Sequence, residues 1–293
     1  MSADGSVLPP HVRMVAHQSD THSWAMATRA PDPRLRSYVL EYQGYKERAS
    51  RPMRRLQAPF AGIPLILTFG PTIDIISSEK ATARQVHRSF LAGLHDVHVF
   101  TEYEGDQCGF QLNFTLVGAY RFLNITMSDI ANRCVNLGDL LGEGEAGRLA
   151  DRFQEVPDWP ARFDLMDEYL LARLARGRPM SPDVVWALRS LQQSGGARSI
   201  GALSRDLSCS RKALIQRFHA QVGLSPKAVA NILRFERAVE RIKVMDEERW
   251  ADLALCCGYY DQAHFNREFR RYSGRTPSEF EAALMPDGVG VAG

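Results

Sequence analysis

From residue 200 onward, apolar residues recur every three to four positions, the spacing of amphipathic helices. Ile200, Leu203 and Leu207 mark one short helix. Leu214 and Phe218 lie four apart, so they share a face of the next helix and point toward a core. Its opposite face carries Arg211, Lys212, Ile215, Gln216 and His219. The same grammar returns about fifty residues later. Trp250, Leu253 and Cys257 pattern a helix and Gly258 breaks it. Phe265 and Phe269 then anchor a second helix, whose outward set is Gln262, Ala263, Asn266, Arg267 and Arg270, with His264 near the edge. Ser210 and Asp261 stand where each second helix needs an N-cap.

Between the two units, Pro226 to about Met245 reads as one helix with Val229, Ile232, Leu233, Ala238, Val239 and Ile242 as its apolar stripe. Pro226 suits the first turn, where a missing N–H is harmless. Such a connector spans roughly 27–30 Å, close to the ~34 Å turn of B-DNA. It can therefore set two recognition helices into successive major-groove segments. One helix with two outward basic residues is more often a solvated face; two such units on a rigid connector form a DNA reader. Arg, Lys, Gln and Asn carry the donors and acceptors that match base edges. Gly223 and Gly274 follow the second helix of each unit, and Ser225-Pro226 and Thr276-Pro277 restart helices after them. The helix start at Thr276 is also a candidate phosphate contact.

The N-terminal part patterns differently. Residues 32 to about 117 read mainly as β. Pro64–Gly70 and Thr72–Ser77 read as strands joined by a Gly-Pro turn, with further strands at Arg88–Gly93 and Gly109–Thr115. Helices follow at Gly118 to Ile125, Asp139 to Phe153 and Pro160 to Arg176; Gly177 and Pro179 start a linker, and Val184 to Gln193 opens the last domain. Tyr38, Tyr42, Phe60, Phe69, Phe90 and Phe110 are candidates for an apolar pocket, although core packing is the commoner role of such residues. No effector-binding residue can be named from sequence.

Composition narrows the classes. The chain has 293 residues, 45% hydrophobic and 24% charged, ordinary values for a two-domain globular protein. Net charge is +2, yet Ala197–Arg275 holds fifteen Lys/Arg against nine Asp/Glu, so positive charge gathers where the helical units are. No apolar run is long enough for a membrane span. Residues 1–25 read as a polar, partly disordered lead without a signal-peptide core. Five cysteines in no CxxC or zinc spacing argue for a reducing cytoplasm, with Cys257 packed inward and Cys256 outward.

Metal or enzyme chemistry finds little support. His87, His95 and His98 lack a carboxylate at ligand spacing, so neither a metal nor a cofactor is expected. Cys108 with His95 or His98 and Asp96 would be a nucleophile set, but no nucleophile elbow or phosphate loop accompanies it. An architectural binder without sequence choice would lean on Lys/Arg alone, unlike these mixed faces.

Residues 181–285 resemble the DNA-binding domain of AraC/XylS-type bacterial transcription regulators. The resemblance rests on Phe218-His-Ala-Gln-Val-Gly-Leu-Ser-Pro226 and on the run from Cys257 to Phe280. Trp250, Tyr259 and Ser208 depart from the family pattern, where a β-branched residue, Phe and Gly are usual. The resemblance implies base contacts from Lys212, Ile215, Gln216, Gln262, Ala263, His264 and Arg267; the outward faces add Arg211 and Asn266. It also implies a β-rich sensor and dimerisation domain, here 26–178, ahead of the all-α reader. The resulting expectation is an α+β chain, with flanking helices on the first domain and a tail at 286–293. It would be a cytoplasmic regulator that is no enzyme. Its partners would be promoter DNA, RNA polymerase, a small-molecule effector and a second copy of itself. Activation is favoured over repression or effector-independent regulation.

Overall fold

The computed structural model describes residues 12–18, 22–77, 84–244, 250–284 and 291–292. Its N-terminal part is one antiparallel sheet built around two long strands, β3 (Val39–Gln57) and β8 (Val99–Thr115), which pair along most of their length. On the far side of β3 lie β2 (His22–Arg29) and then β1 (Arg13–Gln18). β4 (Gly62–Thr68) pairs with residues 109–115 of β8, and β5 (Ile73–Ser77) with residues 99–102. β6 (Arg84–His87) pairs with β5, β7 (Ser89–Ala92) with β4, and β9 (Cys134–Asn136) with β7.

Two expectations are corrected here. Residues 13–18 and 22–25 of the expected polar lead lie in strands, while 1–11 and 19–21 fall outside the described residues. β4 and β5 are the strands expected on either side of Gly70-Pro71; they pair with β8 and not with each other, because β8 is long enough to accept both end to end. Within the expected tail, Val291–Ala292 forms β10, which pairs with Leu56 and Arg55 of β3; residues 286–290 and 293 fall outside the described residues.

Helices cover one face of the sheet. Thr115 caps α1 (Leu116–Leu123) by accepting from the Gly118 N–H at 2.9 Å. The expected helix over 139–153 is two, α2 (Leu137–Leu141) and α3 (Glu143–Glu155), because Gly142 between them adopts φ +85°. α4 (Trp159–Arg176) starts at the Asp158 cap and lays Phe163 against Tyr42 and Phe110 of the sheet. Arg29 of β2 fastens this helix through Asp164 at 2.5 Å and through Asp167, which also accepts from the Tyr42 hydroxyl at 2.8 Å.

Then come α5 (Pro182–Gln193), α6 (Ile200–Asp206), α7 (Arg211–Val222), α8 (Pro226–Ile242), α9 (Trp250–Cys256), α10 (Gln262–Ser273) and α11 (Pro277–Ala282). The fold class is therefore α+β, a sheet domain followed by an all-α domain. One apolar core runs through both. In the second domain Phe269 is its hub, with ring centroids 4.9 Å from Phe235, 5.5 Å from Phe265 and 5.3 Å from Phe280.

Candidate functional site

Each helix-turn-helix unit is assembled by caps and by buried side chains four apart. Ser199 starts α6, and the chain then turns through Ser208 in the left-handed region, φ +50°. The Ser210 hydroxyl accepts from the Ala213 N–H at 3.1 Å and starts α7. Leu214, Phe218 and Val222 of α7 are buried; Arg211, Lys212, Ile215, Gln216 and His219 are exposed on the other face. The aliphatic Ile215 is thus held in solvent among polar neighbours.

The second unit is built alike. Gly258 makes the turn at φ +79°, and the Asp261 carboxylate accepts from the His264 N–H at 2.6 Å to start α10. Phe265, Phe269 and Tyr272 face inward. Gln262, Ala263, Arg267 and Arg270 are exposed, whereas His264 and Asn266 are half-covered. The His264 ring stands edge-on to Tyr259 at 5.5 Å, and its Nδ1 accepts from the Tyr260 N–H at 3.4 Å. Cys257 is buried and Cys256 exposed.

The connector α8 runs 17 residues, about 26 Å. It holds the second unit through Asn231 to Glu268 at 3.3 Å and through Arg234 to the Gly258 carbonyl at 3.4 Å. Several basic residues counted in the charge excess serve structure: Arg198 pairs with Asp206, Arg217 with Asp183 and Arg271 with Asp96. The helix start at Thr276 is already filled. The Glu279 carboxylate accepts from the Thr276 N–H at 2.7 Å, closing a capping box, so a phosphate there would meet a like charge.

The sheet domain contains a cavity of about 330 Å³ with Trp24, Phe60, Ile66, Phe90 and Tyr103 among its walls. That size suits a small-molecule site. Of the six aromatics singled out from sequence, Phe60 and Phe90 line it. Tyr42 and Phe110 are core, Tyr38 lies under Arg121, and Phe69 stacks near Phe153.

Glu47, Arg55 and Gln107 also reach the cavity, although no spacing or motif joins them in the sequence. Glu47 and Gln107 are cross-strand partners on β3 and β8, and Arg55 and His22 both bond to the Glu47 carboxylate. A charged residue on a strand normally reads as solvent-facing, so the signal was absent.

The histidines part company. His87 Nδ1 bonds to Asn136 at 2.7 Å, His95 Nδ1 to the Gly93 carbonyl at 2.5 Å, and His98 packs edge-on to Phe100. Burial holds the His95 and His98 pKa values down. Among the described residues no group of three His, Cys, Asp or Glu could hold a metal ion. Cys108 is half-buried, and burial raises its pKa, the opposite of an activated nucleophile. No helix among the described residues is long and apolar enough to cross a membrane.

Two helix pairs, each with a capped second helix, on one connector define a tandem helix-turn-helix domain. Residues 203–283 match a family described as a helix-turn-helix domain. A stretch of 71 residues is 32% identical to the HTH-type transcriptional regulator MtrA of Neisseria gonorrhoeae, spanning 24% of this chain and 23% of that regulator's length. Among solved structures, ToxT from Vibrio cholerae aligns over 82% of this chain and 97% of its own at 10% identity and a TM-score of 0.47. The C-terminal domain of AraT, a response regulator from Geobacillus stearothermophilus, aligns over 36% of this chain and 88% of its own at 22% identity and a TM-score of 0.35. The C-terminal region of this chain is an AraC-type helix-turn-helix domain.

Proposed function

We propose that this protein is a sequence-specific DNA-binding transcription regulator that reads a promoter site with α7 and α10. The supporting observation is the paired construction of these helices. Each is capped and backed by buried side chains, and each turns outward a mixed set that can hydrogen-bond base edges. Arg211, Lys212, Ile215 and Gln216 serve one half-site; Gln262, Ala263, His264, Asn266 and Arg267 serve the other. Gln216 and Arg267, exposed and centrally placed, are the principal base readers. The half-covered His264 and Asn266 support their neighbours more than they reach.

In this reading the sheet domain senses a small molecule in its cavity, and the protein activates transcription through RNA polymerase, as a dimer, in the cytoplasm. The test is selection of genomic fragments by the purified protein, compared with the double variant Gln216→Ala/Arg267→Ala. A motif with two half-sites about one helical turn apart, lost in the variant, is expected. Arg267→Ala alone should weaken specific binding by about 1–3 kcal/mol and relax one operator position. Equal, motif-free recovery by both proteins would overturn the proposal.

A further inference from the structure

The chemistry of the sheet cavity says what kind of molecule belongs in it, and this rests on the reading of that cavity as an effector site. Most of its wall is apolar: Ile66, Ile73, Ile75 and Phe90 form a buried cluster of their own on one side. Against this, β3 and β8 bring together four polar residues, Glu47, Arg55, Tyr103 and Gln107. Both terminal nitrogens of Arg55 bond to the Glu47 carboxylate, one at 3.1 Å, so this charge pair is neutralised within the protein.

Three polar atoms remain without a protein partner: Arg55 Nε, the Tyr103 hydroxyl and Gln107 Oε1. The Tyr103 phenol leans toward Glu47, whose oxygens are already held by Arg55 and His22, and makes no regular hydrogen bond of its own. Burial keeps its proton on. Gln107 Nε2 donates to the Thr72 carbonyl at 3.5 Å, which orients the amide and leaves Oε1 as an acceptor. Each such buried atom left unpaired carries a desolvation penalty that a matching ligand group would remove.

The unsatisfied set is therefore two donors and one acceptor beside a neutralised ion pair. An alcohol or phenol matches it, accepting from Arg55 Nε–H or the Tyr103 hydroxyl and donating to Gln107 Oε1. A carboxylate cannot donate to Gln107, and it would sit beside Glu47 with no unshared cation to meet it. A bare hydrocarbon would leave all three atoms unpaired.

We infer that the cavity binds a neutral amphipathic molecule, an apolar body bearing a hydroxyl head, and discriminates against the corresponding acid.

Calorimetric titration of the full chain at pH 8 tests this with two matched pairs, 1-decanol against decanoate and 2-naphthol against 2-naphthoate. The hydroxyl member of at least one pair should bind, and at least tenfold tighter than its acid. Glu47→Gln releases Arg55 from its partner and should bring the acid to equal or tighter binding. Gln107→Leu, which leaves the ion pair intact, should narrow the preference by weakening the alcohol alone. It also keeps the test open if Glu47→Gln does not fold. Ile75→Trp fills the cavity and should abolish binding of both members.

Tighter binding of the acids by the unaltered chain overturns the assignment of the head group but leaves an effector cavity standing. Binding that survives Ile75→Trp, or no binding of any of the four, overturns the inference together with the sensing role of the cavity. DNA selection would still judge the reader domain separately.

Discussion

Glu236 allows the seating of α8 on the sheet domain to be measured. It faces the β3–β4 connection, where the Ala61 backbone N–H donates to its carboxyl. Burial pushes its pKa from 4.5 up to about 7; the Ala61 hydrogen bond opposes the rise, and Glu240, one turn along the helix, adds to it. Because the folded value lies above the unfolded one, folding takes up a proton between pH 4.5 and about 7. Stability from this group is fully present below pH 4.5 and is lost as pH rises through about 7. At 1.36 kcal/mol per pKa unit a shift of that size represents about 3 kcal/mol. Glu236 is only half-buried by area, so solvent screening reduces this to about 1–2 kcal/mol. Glu236→Gln keeps an acceptor for Ala61 but never ionises. Denaturation curves of both proteins at pH 5, 6, 7 and 8 should nearly coincide at the acid end. They should separate at pH 8, with the variant more stable by about 1–2 kcal/mol. The difference between the two proteins isolates this group from every other titration. A constant offset across the range, or a variant that loses stability relative to the parent as pH rises, would refute the reasoning.

Three further outcomes follow from local geometry. Ser208 holds φ +50° in the turn of the first unit, so Ser208→Gly should raise stability by about 0.5–1 kcal/mol, measured by the denaturation midpoint. Phe269→Ala removes the fully buried hub between α8, α10 and α11. It should cost about 3–5 kcal/mol and weaken DNA binding with loss of helical signal, whereas Arg267→Ala weakens binding with the helical signal unchanged. Gly93→Ala would place its Cβ 2.0 Å from the Ile130 carbonyl oxygen, so the variant should melt well below the parent or fail to accumulate folded.

The helices of the second domain were legible because local signals agree there. α7 and α10 each have a short polar cap, a buried pair four residues apart and a glycine just after the end, and their bounds fall where those signals put them. The sheet was less legible because its two main strands break the usual rules. The segment Glu47 to Arg55 is dense in charge and contains Pro52, so no apolar alternation marks it as a strand within the β-rich stretch. It is nonetheless strand, with the proline inside the register shift between Ala49 and Met53, where a missing N–H is tolerated. Glu47 and Arg55 looked like surface charges because only pairing at a distance reveals that they neutralise each other. β10 is two residues long, and nothing local marks it for β3. Gly142 was readable as a helix break in principle, but the apolar pattern on either side stays in phase and hides it.

The contacts between the two domains fall unevenly on the two units. Segments 58–62 and 93–97 contribute to the cavity wall, and both are in touch with the second half of the DNA-binding domain. Ala61 bonds to Glu236 of α8; Asp96 pairs with Arg271 of α10 at 3.6 Å. Just beyond, His98 packs so closely on Gly274 that an added Cβ would lie 2.7 Å from its Nε2. β10 returns from α11 to pair with Arg55 itself. The first unit is seated elsewhere, with Gly223 against the Met127 carbonyl. Close-packed contacts of this kind transmit displacement instead of absorbing it. On the proposed sensing reading, a shift of segments 58–62 or 93–97 would act on α8 and α10 through these direct contacts, whereas α7 is reached through the 127–133 segment. An operator with two half-sites at fixed spacing would be sensitive to the relation between α7 and α10, so on that reading these contacts would give a bound ligand a short route to DNA affinity.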